Sequence, residues 1–353
     1  MAYTTINKPS EYFNTKLYTG TSSSQSITGV GFQPDMVWVK RRDGVAHSPI
    51  QDVVRGATSS ISYIMSGVTA GASSVSDAIT SFDSDGFSLG ADSSTRSNPS
   101  GGSMVSWNWK ANGAGVSNTD GSITSTVSAN TVSGFSIVTY TNQNVNTIGH
   151  GLGVVPKVLI GKCLSGASGW VFASADLLGS WDKYLLLNST NATGTDSRFF
   201  YPSSAAPTST VFSSDQSAWS AGGSATETMV AYCFAEKKGF SKFGKYTGNG
   251  NADGPFIYTG FKPALVLVKE TSAIDNWILL DNKRDTAPNP HKLALFPNLA
   301  DAEAGDYLTD FLSNGFKIRS ATGSLNTSSA TYIYMAFASE PLVGTNNVPA
   351  TAR

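Results

Sequence analysis

Hydrophobic positions in this chain fall into short runs bounded by Gly, Pro, Ser, Asn and Asp, and several runs alternate apolar and polar residues with period two. That pattern predicts many short β-strands and little helix. In Met104-Val105-Ser106-Trp107-Asn108-Trp109, for example, Val105, Trp107 and Trp109 share one face while Met104, Ser106 and Asn108 share the other. Asp85-Gly86 and Asn314-Gly315 read as hairpin turns, because these pairs tolerate positive φ. Helical pattern is confined to Leu299–Asp310, with Ala300, Ala302 and Ala304, and to the short Ala173–Leu178.

The runs recur three times. Tyr18, Tyr140 and Tyr246 each precede a proline (Pro34, Pro156, Pro263) by 16, 16 and 17 residues, and each proline precedes a lysine (Lys40, Lys162, Lys269) by 6. Between proline and lysine lies a β-branched or aromatic run such as Met36-Val37-Trp38-Val39 or Leu265-Val266-Leu267-Val268, which reads as a buried strand. The proline fits its start and the lysine is expected where the chain returns to water. Each copy closes on an apolar strand around Trp107, Tyr232 or Met335. Successive copies lie 122 and 106 residues apart, which is domain-sized rather than solenoid-sized.

The expected fold is therefore all-β: three tandem, divergent β-sandwich domains of jelly-roll or lectin-like character, with few short helices. The expected limits are an N-terminal docking arm over residues 1–13, repeats at 14–112, 132–238 and 239–341, and a C-terminal tail at 342–353. A Gly/Ser/Thr-rich linker over 113–131, within Ala111–Ser133, is expected to leave copy one flexibly attached to a rigid block of copies two and three.

Composition narrows the function. Only 14% of residues are charged while 40% are hydrophobic, so the surface is covered by uncharged polar side chains. Net charge is −1 and the longest basic cluster is Lys40-Arg41-Arg42, which disfavours a nucleic-acid partner. No apolar run is long enough to span a membrane, and the N-terminal residues lack the layout of a secretory signal, so synthesis in a cytoplasm is expected. Cys163 and Cys233 are read as buried thiols, not a disulfide framework.

Reactive constellations are not found. His47, His150 and His291 have no metal-ligand spacing and occupy different positions of the repeat, and no nucleophile motif occurs, so neither catalysis, a metal nor a cofactor is expected. Eight residues after the repeated lysine stand Trp170 and Trp277, with Ser48 in copy one. Exposed, such indoles would form sugar-stacking platforms; buried, they are core. Twelve and fifteen residues after it, copies one and three share Asp52 with Arg55 and Asp281 with Arg284, which either fix a loop or join the tryptophan in binding a polyol. In the arm, Tyr3, Ile6, Tyr12 and Phe13 are the expected anchors to a partner.

Three stretches carry a family resemblance: Ile6-Asn7-Lys8-Pro9-Ser10-Glu11-Tyr12-Phe13-Asn14-Thr15, the passage from Ala231-Tyr232-Cys233-Phe234-Ala235-Glu236-Lys237-Lys238-Gly239 to Gly244-Lys245-Tyr246-Thr247-Gly248-Asn249-Gly250, and the ending Val348-Pro349-Ala350-Thr351-Ala352-Arg353. In these the chain resembles the repeat-containing virion structural proteins, often labelled tail-fibre proteins, of phages of marine and freshwater bacteria. The resemblance implies residence on a phage particle as a fibre, tail accessory or head decoration. Other virion proteins are then the expected partners, host-surface glycan a further one, and a homo-oligomer, trimeric by analogy, the expected assembly. It carries over no catalytic residue.

Overall fold

The computed structural model describes residues 3–343 except 61, 76, 93–94, 144, 197–204, 216–225 and 288. Nearly all regular structure is antiparallel β, as the period-two runs require. Each copy forms a main sheet with the same strand order. In copy one the opening strand Phe13–Thr19 pairs with the closing strand Ser103–Trp109. The closing strand pairs with the proline-to-lysine strand Met36–Arg41, followed outward by Pro49–Asp52. The order is repeated by Phe135–Thr141, Thr228–Phe234, Val158–Cys163 and Val171–Ala173, and again by Ser241–Thr247, Thr331–Pro341, Phe261–Glu270 and Trp277–Asp281.

A smaller sheet backs each main sheet. It contains the expected hairpins, with each turn centred one residue earlier than expected: Ile79–Asp83 meets Gly86–Leu89 around Ser84-Asp85, and Thr309–Leu312 meets Gly315–Ile318 around Ser313-Asn314, while copy two pairs Val145–Gly149 with Val211–Asp215. Gly86 adopts φ +154°, and a Cβ there would lie within 1.8 Å of the Ile27 carbonyl oxygen, so the turn requires glycine.

Strand alternation sends side chains into two kinds of core. One face of each main sheet meets its own small sheet: Val37, Val39 and Phe87 in copy one, Leu159, Cys163 and Phe212 in copy two, Val266, Val268 and Phe316 in copy three. The opposite faces meet one another. Trp38, Trp107 and Trp109, then Ile160, Tyr232 and Phe234, then Leu267, Met335 and Phe337 all belong to a single cluster shared by the three copies. Phe337 packs against Phe13, Trp109 and Phe234, joining all three copies through one ring.

Identical backbone hydrogen bonds close the copies into a ring. The residue six after the repeated lysine donates its N–H to a neighbouring copy: Ala46 to the Ala300 carbonyl at 2.7 Å, Ser168 to Thr69 at 2.8 Å and Asp275 to Thr190 at 2.9 Å. Three residues beyond each acceptor, an N–H returns to the carbonyl two after the lysine: Glu303 to Arg42, Ala72 to Leu164 and Thr193 to Thr271. Copy one thus docks on three, three on two, and two on one. The same bonds at the same register in cyclic order relate the copies by an approximate threefold axis.

Several expectations are corrected by this arrangement. Residues 113–131 are not a free linker. Ser125–Asn130 pairs with Phe135–Thr141 and Val116–Asn118 adds beyond it, while the Ser128 hydroxyl accepts the Asn112 N–H and donates to the Gly113 carbonyl. Copy one is sealed to both neighbours instead of hanging from a rigid pair. Leu299–Asp310 is irregular rather than helical: Asp306 turns to φ +71°, Ala304 bridges Ala294, Ala300 supplies a ring carbonyl and a strand begins only at Thr309. A helical turn does form at Ala175–Leu178, and a second, unforeseen, at Gly323–Asn326. Residues 344–353, most of the expected tail, lie outside the described residues.

Candidate functional site

The residues singled out as ligand-binding are consumed by the ring. Trp170 and Trp277 are 0% and 1% exposed. Their indole N–H groups donate to the Met65 and Leu186 carbonyls of the neighbouring copy, each at 2.9 Å, and their backbone N–H groups donate to Asn188 and Asn298. No sugar can stack on either ring. In copy one the tryptophan–asparagine pair is replaced by Ser48 and Gly67, both changed together.

The Asp–Arg pairs are likewise internal. Asp52 receives the Arg55 Nε–H at 2.6 Å and the Tyr232 hydroxyl of copy two at 2.8 Å. Asp281 receives the Arg284 Nε–H at 2.6 Å and the Trp107 indole N–H of copy one at 3.0 Å. All four charged side chains are fully buried. The closing strand of one copy thus reaches the ion pair of the next, and Glu303 extends the second pair by bridging Arg284 and Arg42. Copy two has Ser174 and Leu177 at the corresponding positions, and Met335 and Leu177 belong to the shared apolar core.

The repeated lysines do not return to water. Lys40, Lys162 and Lys269 are at most 1% exposed. Lys40 donates to the Ala46 and Leu299 carbonyls and Lys162 to Ser168 and Thr69, crossing a junction in each case, whereas Lys269 donates to its own neighbour Glu270. Burial pulls all three ammonium groups down to about 8. The only signal of this in the sequence was the constancy of the lysine itself, since a solvated lysine need not recur at a fixed distance from a proline.

The proposed arm is also used internally. Ile6 and Phe13 are 1% exposed and lie in the shared core, Phe13 as the first residue of a strand. Tyr12 packs edge-on to Phe240. The Thr4 hydroxyl donates to the Lys238 carbonyl and the Tyr3 hydroxyl to Gly260, so the segment straps the seam between copies two and three. Residues 1–2 lie outside the described residues.

Two grooves, of about 410 and 460 Å³, share Glu236 in their walls, and the strap's Tyr3 lines the second. Glu236 accepts Lys157 at 3.0 Å, Lys242 at 3.2 Å and the Phe243 N–H at 2.6 Å. Asp176 approaches the same Lys157 ammonium at 3.5 Å, so Lys157 is shared by the two carboxylates. Trp181 and the exposed Val154 and Val155 line the first groove; Tyr3, Lys238 and Tyr258 line the second. By contrast, the gap where the three main sheets meet is about 40 Å³ and lined by apolar atoms, far below a ligand pocket. Sequence reasoning missed the grooves because their residues come from five separated stretches. Among the described residues, no group of three or more His, Cys, Asp or Glu could hold a metal ion.

A family model described as a domain of unknown function, DUF7483, matches residues 8–341. The chain belongs to this family. The matched DUF7483 region spans all three copies and begins within the strap, after Tyr3, Thr4 and Ile6, so the family's unit is the whole ring rather than one repeat. No curated protein and no solved structure matches the chain.

Proposed function

We propose that this DUF7483 protein is a non-enzymatic structural component of a bacteriophage particle, a tail fibre or a tail or head surface appendage that contacts the host. The particle address rests on the resemblance of the N-terminal, central and C-terminal stretches to virion structural proteins. What the fold contributes is one observation: chemistry-bearing side chains that in an enzyme would face a cleft are spent on ring closure. Trp107, Trp170, Trp277, Tyr232 and both Asp–Arg pairs are buried at junctions between copies. Low surface charge and a shared aromatic core suit a protein that must stay folded outside a cell.

Imaging of purified particles tests the reading. Density matching a three-lobed β-ring at a fixed place on tail or head is expected, with the chain recovered from washed particles. Recovery from the lysate alone, with none on particles, would contradict it. A second reading, a polysaccharide depolymerase, rests on the Asp176 and Glu236 carboxylates in the wall of the first groove and predicts saccharide release by the purified chain, lost in Asp176→Asn and Glu236→Gln.

A further inference from the structure

Copy three differs from its siblings on its outward edge. The strand Phe256–Tyr258 corresponds to Gln25–Thr28 and to Val145–Gly149 through the matching pairs Ile257 with Phe316, Ile27 with Phe87 and Ile148 with Phe212. Ile257 points into the core, which puts Phe256 and Tyr258 on the outward face, 45% and 54% exposed. The equivalent residues are Ser26 and Thr28 in copy one, and Thr147 and Gly149 in copy two. Two of the three copies thus fold without aromatic rings there; Tyr258 meets the Tyr3 phenol of the strap, but that contact does not account for Phe256 or for two rings exposed on one face.

Tyr258 also forms a wall of the 460 Å³ groove, opposite Lys238, whose ammonium lies 4.5 Å from the centre of the Tyr3 ring. The Tyr3 hydroxyl is bonded to the Gly260 carbonyl and lies beside the Tyr258 phenol, and burial with that contact pushes it up to about 12, so it stays protonated. Glu236 is already shared by Lys157 and Lys242, so the charge of Lys238 is not offset within the groove. Exposed aromatic faces suit the C–H faces of a sugar ring, phenols and a backbone rim suit its hydroxyls, and a surplus ammonium suits a carboxylate or sulfate.

We propose that the seam groove beside Tyr258, with Phe256, Tyr3 and Lys238, is a binding site for an acidic oligosaccharide. The site does not depend on where the protein resides, and its failure would leave the particle assignment intact.

Isothermal titration of the full chain with a galacturonate hexamer, a heparin hexasaccharide and neutral maltohexaose tests it. Binding of at least one acidic probe is expected, weakened about tenfold by Tyr258→Ala and several-fold by Lys238→Gln. Melting temperature should fall only slightly, because both side chains are exposed and touch the strap through Tyr3. Absence of binding by both acidic probes, or binding that neither substitution alters, overturns the site. Equal binding of maltohexaose overturns its acidic preference.

Discussion

The junction of copy one with copy three and that of copy three with copy two use the same two backbone hydrogen bonds but opposite side-chain chemistry. At the first, Trp107 reaches the buried Asp281–Arg284 pair, Glu303 ties that pair to Arg42, and Ser48 stands in the tryptophan position. At the second, Trp277 fills that position and donates to Leu186, while Ser174, Leu177 and Met335 replace the polar set. The junction of copy two with copy one has both, Trp170 and the Tyr232–Asp52–Arg55 contact. The backbone pattern therefore defines the ring, and each side-chain set is a different way of filling the same junction. A buried ion pair is costly to break but need not stabilise more than an apolar contact of equal shape.

That difference orders the expected effects of substitution. Trp277→Ala and Trp170→Ala should be the most damaging, about 5 kcal/mol each, because a large cavity and an unmatched neighbouring carbonyl arise together. Ser48→Ala, at the same position of copy one, should cost under about 1 kcal/mol. Urea unfolding of the three variants measures the contrast, and equal losses would break it. Asp52→Asn comes next, at about 3 kcal/mol, since Arg55 would be left as an uncompensated buried charge; Leu177→Ala, at the apolar junction, should lose about 2–3 kcal/mol through cavity formation alone.

Smaller effects follow from the lysines and the strap. Lys162→Met should cost about 1–3 kcal/mol by leaving the Thr69 and Ser168 carbonyls unmatched. Ile6→Ala should cost about 2 kcal/mol, measured by melting, which an arm ordered only on a partner would not. Lys8→Ala, at an exposed pair with Glu11, should change stability by less than about 0.5 kcal/mol.

The lysines also give a pH dependence. Their folded values near 8 lie below the ordinary 10.5, so above about pH 7.5 the unfolded chain holds more protons than the folded one and stability rises with pH. Cys233 opposes this only above about pH 9, because burial pushes its thiol up to about 12 and the unfolded chain ionises first. Melting temperature should therefore climb from pH 7.5 to 9, and less steeply in Lys162→Met. On the acid side, burial lowers His47 and His150, so stability should fall as pH drops below about 6.5.

The all-β class and the places of the two hairpins were legible in the sequence, through period-two alternation and the pairs Asp85-Gly86 and Asn314-Gly315; the positive φ expected of both pairs occurs at Gly86 alone, because the turns centre one residue earlier, on Ser84-Asp85 and Ser313-Asn314. Ring closure was not legible. Alternation says that Val105, Trp107 and Trp109 share a face but not that this face meets two other copies. A tryptophan at a fixed place in a repeat reads the same whether it meets solvent or a neighbour's carbonyl. Ala111–Ser133 looked like a linker because small polar residues are common to linkers and to edge strands. The seam groove was illegible for a simpler reason: Tyr3, Glu236 and Tyr258 are joined only by the folded chain.

The central claim is that three copies close into one ring through equivalent bonds, and residue-resolved amide hydrogen exchange under native conditions tests it most directly. The N–H groups of Ala46, Ser168 and Asp275, with those of Glu303, Ala72 and Thr193, should share the protection of the closing strands and exchange only through global unfolding. Rapid exchange at Ala46, Glu303, Ser168 and Ala72 while Asp275 and Thr193 stay protected would show copy one opening on its own, and would contradict the ring.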